Sequence, residues 1–358
     1  MVQLSSLTLA LVLNVGTAFS PSAFPFSSKT SSSTSALNAI GVLARKAKEA
    51  AVREFCVGGL SPDVLEKVEE MKAGLQSDET TDEAPGPIQT RLTKRKGTIS
   101  LIAEYKRKFA VDTAFVDKDA GGVFDPEVLS PVFREFGASG VAIMADERMG
   151  GCTYEDVSEF AKEQASAKGD MPGPVSIISS DLIVDEVQIA QSAAAGAGAI
   201  VVTFGVVGVE KTDFFLKCAK ALNLETIIAV SNKEEAQQAV DLGARLIYAT
   251  GFDDVDAKCE AVQDLIVPEG AQVCTIANIL ANNNKALEEV EEAWICRDKG
   301  FNAVWVSDAL YKSGNDPSEH AGAIMKAMTA KSSVKWASAK GMGGKGEGAR
   351  EYLGDILM

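Results

Sequence analysis

The chain has 358 residues, 46% of them hydrophobic and 24% charged, enough for one large core with appendages. A net charge of -15 excludes a surface that attracts nucleic acid or an anionic membrane, so neither is expected as a partner. The six cysteines (Cys56, Cys152, Cys218, Cys259, Cys274 and Cys296) are scattered without a CxxC, and His320 is the single histidine. That composition offers no metal set, and no metal or cofactor is expected; the thiols read as buried and reduced.

Residues 1–37 read as addressing, because the first acidic residue of the chain is Glu49. Leu7 to Val15 is an apolar run too short to span a bilayer, and the small residues Gly16-Thr17-Ala18 follow it. Next come Ala18-Phe19-Ser20-Pro21 and an acid-free Ser/Thr stretch from Ser27 to Ser35. This arrangement resembles the signal-plus-transit presequence of algae whose plastids lie inside the endomembrane system. It predicts cleavage after Ala18 and again near Leu37, and residence in the plastid (chloroplast) stroma. Plain secretion is the alternative, but a secreted protein of this size more often pairs its cysteines.

Residues 38–97 form an N-terminal extension. Ala36–Phe55 and Ser61–Leu75 read as helices, the second opened by Ser61-Pro62-Asp63 and carrying Val64, Val68 and Met71 on one side. An acidic, turn-rich link from Ser77 to Pro87 follows. Residues 98–328 then repeat one theme, in which a helix closes on glycine and a short apolar strand begins almost at once. The joints are Phe136-Gly137-Ala138-Ser139, Ala195-Gly196-Ala197-Gly198, Leu242-Gly243-Ala244-Arg245 and Lys299-Gly300-Phe301-Asn302. A left-handed glycine at the helix end and a strand buried on both faces are what a parallel α/β protein requires. Four more strands, at 100–105, 175–179, 226–230 and 272–276, fill the gaps. Eight strands alternating with helices, and no GxGxxG after Tyr105, predict a single (βα)8 TIM barrel with an N-terminal helical extension rather than an open doubly wound sheet. Residues 329–358 are Lys/Gly-rich and end in Tyr352, Leu353, Ile356 and Leu357. This tail reads as a tethered segment for an unidentified plastid protein, through residues 331–358, or as an idle extension.

In such a barrel chemistry sits where strands end. Ile102-Ala103-Glu104-Tyr105-Lys106-Arg107-Lys108 closely resembles the first-strand motif of the indole-3-glycerol-phosphate synthase family, whose Glu and Lys enter the active site. Asp146-Glu147-Arg148 with Gly150-Gly151 resembles that family's loop after strand two, and Asp181-Leu182-Ile183-Val184 with Gln188-Ile189 its third-strand exit. The resemblance covers roughly residues 98–328. It implies a carboxy-lyase of tryptophan biosynthesis that closes an indole ring with loss of carbon dioxide and water. Such an enzyme needs an ammonium acid, a carboxylate base and a phosphate cradle.

Against that pattern, Glu104 and Lys106 are retained and most other positions are altered. Ser180 stands where the family has its lysine acid, Ala229 where it has a carboxylate, and Thr250 where it has asparagine. Ala277-Asn278-Ile279 replaces Glu-Ser-Gly, and Ser307-Asp308 replaces Gly-Ser at the phosphate end. Ile279 and Asp308 oppose phosphate, and two like charges about 4 Å apart repel by roughly 4 kcal/mol at an effective dielectric of 20. Three functions are consistent with this. The leading one is a plastid barrel of the family whose synthase activity is lost or strongly impaired and which binds or assembles; the others are an active synthase and a barrel enzyme for a non-phosphorylated substrate. Glu104 and Lys106 read either as remnants of a working mouth or as an ion pair at its rim. Asp112, Asp117 and Asp119 read as a solvated lid, Asn282-Asn283-Asn284 as a helix cap, and His320 as a surface residue.

Overall fold

A computed structural model of the chain describes residues 33–76, 84–93, 97–108, 124–252, 254–279, 286–311 and 317–330. The expectations for the presequence before residue 33, for Asp112, Asp117 and Asp119, for Asn282–Asn284, for the His320 side chain and for the tail from 331 lie outside the described residues.

Eight parallel strands close in sequence order into a barrel. They are β1 (Ser100–Tyr105), β2 (Gly140–Ile143), β3 (Ser176–Ser179), β4 (Ala199–Thr203), β5 (Glu225–Val230), β6 (Leu246–Ala249), β7 (Cys274–Ile279) and β8 (Ala303–Val306). β1 pairs on one side with β2, Glu104 opposite Ala142, and on the other with β8, Ile102 opposite Trp305. Among the described residues three helices precede the barrel: α1 (Ser33–Gly58), α2 (Pro62–Gln76) and α3 (Pro87–Leu92). The connecting helices are α4 (Pro126–Glu135), α5 (Tyr154–Ser166), α6 (Glu186–Ala194), α7 (Phe204–Ala221), α8 (Lys233–Asp241), α9 (Val255–Val262), α10 (Ala286–Lys299) and α11 (Pro317–Met328).

The four glycine joints do what their sequence requires. Gly137, Gly196, Gly243 and Gly300 all have positive φ, between 83° and 101°. At each joint the next N–H reaches back to a helix carbonyl, as from Ala138 to Phe133 at 2.9 Å and from Phe301 to Cys296 at 3.0 Å. That satisfies carbonyls left over at the helix end and turns the chain directly into its strand.

Alternation along the strands separates two environments. Ile102, Ala142, Ile178, Ala229, Tyr248 and Trp305 face the barrel interior. Ala103, Tyr105, Ile143, Ala249, Ala277 and Val306 pack outward against helices. Ile88 and Leu92 of α3 join the interior cluster and plug the end where the strands begin. The Glu225 carboxylate fixes this plug by accepting the N–H groups of Ile88 and Gln89 at 2.6 and 2.9 Å. The acidic link thus ends in a structural helix, where the sequence had suggested only a connection.

α2 is tightly anchored, with Val64, Val68 and Met71 in one cluster with Ile189 and Phe215. Five of the six cysteines are buried and Cys56 is exposed, all as free thiols.

Candidate functional site

The carboxyl ends of the strands gather the residues singled out in the sequence. Glu104 follows Ile102 on the interior face of β1 and is fully buried. Neither of its side-chain oxygens has a hydrogen-bond partner. Burial pushes its carboxyl above the usual range; Lys106 opposes that shift, as do the nearby Ser307 hydroxyl and Trp305 indole, which stand close without reaching hydrogen-bond geometry. Lys106 is also buried and is ion-paired with Asp308. Of the two readings of Glu104 and Lys106, the ion pair between them is not the one formed: Lys106 pairs with Asp308, because the register of β1 against β8 brings the ends of these two strands together. Asp308 does not stand as an uncompensated charge. It forms an ion pair with the buried Lys106 ammonium.

A second cation enters from outside the barrel. Lys48 of α1 places its ammonium 2.7 Å from Asp146, after β2, and 2.6 Å from Asp181, after β3. Burial works against the Lys48 charge, but the two carboxylates outweigh it and hold the amine above its ordinary value. For Asp146 burial is likewise outweighed, and Lys48 with the Met149 and Arg148 N–H groups draws the carboxyl down. For Asp181 burial pushes upward against the pull of Lys48. Asp181 also accepts the Tyr154 hydroxyl at 2.8 Å and the Gln188 amide at 2.7 Å. Glu147, by contrast, is exposed.

The remaining positions are poor in catalytic groups. Ser180 is buried and its hydroxyl has no partner. Ala229 lies in the interior cluster beside Tyr248, its neighbour in register on β6. The Tyr248 ring stacks on Trp305 with centroids 4.8 Å apart, filling the barrel with aromatic bulk. Thr250 is buried one interior position beyond Tyr248. On β7 the interior residue is Asn278, whose side-chain oxygen is unpartnered. Ala277 and Ile279 belong to the outer cluster and do not line the mouth. Pleat alternation decides this: Ile276 faces inward, so its odd-numbered neighbours face the helices. Ser307 is buried next to Asp308.

Sequence reasoning missed Lys48, Tyr154 and the Tyr248–Trp305 stack. The basic cluster Arg45-Lys46-Lys48 was a signal for the first. Nothing local marked the others.

A closed parallel (βα)8 barrel with carboxylates and lysines converging at its strand ends defines a barrel of the kind that carries small-molecule chemistry at that face. A family model for indole-3-glycerol phosphate synthase matches residues 60–318, and the chain belongs to that family. It is 28% identical over 163 residues to the indole-3-glycerol phosphate synthase of Leptospira interrogans, covering 45% of this chain and 58% of that relative. The corresponding protein of Petrotoga mobilis is 26% identical over 254 residues, 71% of this chain and 93% of its own. That of Chlorobium phaeovibrioides is 24% identical over 221 residues, 61% and 77% of the two chains.

Proposed function

We propose that this protein is a plastid member of the family in which synthase activity is lost or strongly impaired, and that it serves as a binding or assembly protein. The observation that carries the reading is the internal pairing of Lys106 with Asp308. The family resemblance implies an ammonium acid at the position of Ser180 and a base at that of Ala229, and neither residue transfers a proton near neutral pH. Lys106 is ion-paired with Asp308, and Lys48 with Asp146 and Asp181. A phosphate ligand would have to displace Asp308 from a buried ammonium.

The test is complementation. Expression of this protein in a bacterium that requires tryptophan because it lacks the synthase is expected to give no growth on minimal medium. Growth at the rate given by an ordinary synthase would refute the reading.

Plastid residence rests on residues 1–37, and binding through residues 331–358 on their Lys/Gly-rich composition. A fluorescent protein fused behind residues 1–40 is expected to enter the plastid, and replacement of Phe19 to stop it there. Retention of the fusion in the secretory route counts against this part of the proposal.

A further inference from the structure

The way α1 is held differs from the way every neighbouring helix is held. Within its described side chains only Val52 is buried, and Val52 belongs to none of the three core clusters. Leu43, Phe55 and Val57 face solvent. α2, by comparison, buries three apolar side chains in the core. What ties α1 down is polar. Arg45 donates to the Val206 carbonyl on α7 at 3.1 Å, and Lys48 bridges Asp146 and Asp181. These contacts lay the helix across the ends of β2, β3 and β4.

We infer that α1 is a hinged cover over this side of the barrel mouth, latched by the Lys48 ammonium between Asp146 and Asp181. The two carboxylates are held ready for the latch by donors other than lysine. Oδ1 of Asp146 takes the N–H groups of Arg148 and Met149, leaving Oδ2 for Lys48. Oδ2 of Asp181 takes Tyr154 and Gln188, leaving Oδ1 for Lys48 and the Leu182 N–H. The receptor is therefore part of the barrel, and the cation belongs to the cover.

A hinge is present as well. α1 joins the anchored α2 through Gly58-Gly59, where Gly59 has φ +91° and a Cβ at either glycine would meet nothing within 4 Å. Rotation there needs no repacking of α2. When the cover lifts, the Asp146 and Asp181 carboxylates lose the Lys48 ammonium and are bared at the mouth, so the open state favours cationic ligands over anionic ones more than the closed one does. This inference goes beyond the proposed loss of synthase activity and does not depend on it.

Hydrogen exchange on the full chain tests the latch. Lys48→Gln is expected to speed exchange of the amides at 42–58 by about tenfold or more, the scale of one lost charge-assisted contact, with the strands and α2 unchanged. Lys48→Arg should restore most of the protection, and Asp146→Asn should reproduce the loss. Val52→Ala should have a smaller effect than Lys48→Gln. Three results would overturn the inference: unchanged exchange in Lys48→Gln, an equal or larger effect from Val52→Ala, or acceleration spread over the whole barrel. In the last case Lys48 is a structural residue of the fold. If Lys48→Gln does not fold, Asp146→Asn alone decides between a local and a global effect.

Discussion

Glu104 is the residue whose sequence context promised most and whose structural setting is least comfortable. It is a buried carboxyl with no hydrogen-bond partner on either oxygen. Because burial raises its folded pKa, the folded protein keeps this proton to a higher pH than the unfolded chain, where glutamate titrates near 4.3. Its contribution to stability is thus whole below the unfolded value and is lost as pH rises through the raised folded one. Glu104→Gln keeps the shape of the neutral acid. We expect it to stabilise the protein by about 1–3 kcal/mol at pH 8 and to be close to neutral at pH 4. Urea unfolding at the two pH values measures this, and a variant less stable than wild type at pH 8 would contradict it. At this scale the sequence was partly legible. The motif around Glu104 located two mouth residues, but the partner of Lys106 lies at position 308 and that of Asp181 at position 48. Ion pairs across such separations follow from barrel closure and helix docking, which no local pattern encodes.

Elements were read well wherever their ends are chemically marked. Strands after the glycine joints begin where expected, since positive φ at Gly137, Gly196, Gly243 and Gly300 leaves the helix no room to continue. β7 starts at Cys274, two residues later than residue 272, and runs on to Ile279. Asn278 lies beyond the expected end at residue 276, yet it still pairs opposite Trp305. α3 went unrecognised because six residues are too few to show a helical period. Its cap is testable. Glu225→Ala removes the acceptor for two N–H groups in the first turn of α3, and a loss of about 1–2 kcal/mol is expected. Gly86→Ala should be worse tolerated than a typical loop substitution, since its Cβ would run into the Glu225 carboxylate that caps α3. Thermal unfolding of both variants provides the check, and unchanged midpoints would mean that the plug is held by Ile88 and Leu92 alone.

On the scale of the whole molecule, the closed barrel and its family membership stand on the structure and the family match, and the proposed loss of chemistry concerns the residues at the mouth. Ser180 and Ala229 stand where the family resemblance implies an acid and a base, Tyr248 and Trp305 fill the interior, and Asp308 engages Lys106. Each missing acid or base typically lowers a rate by about 10²- to 10⁴-fold, and such losses need not multiply when groups act together. The decisive measurement is turnover of the family's substrate, the phosphorylated and carboxylated arylamine that closes to indole-3-glycerol phosphate, by the purified protein. No ring closure above about one hundredth of an ordinary synthase rate is predicted, the loss expected from a single missing acid or base. Turnover comparable to that of an ordinary synthase would contradict the account.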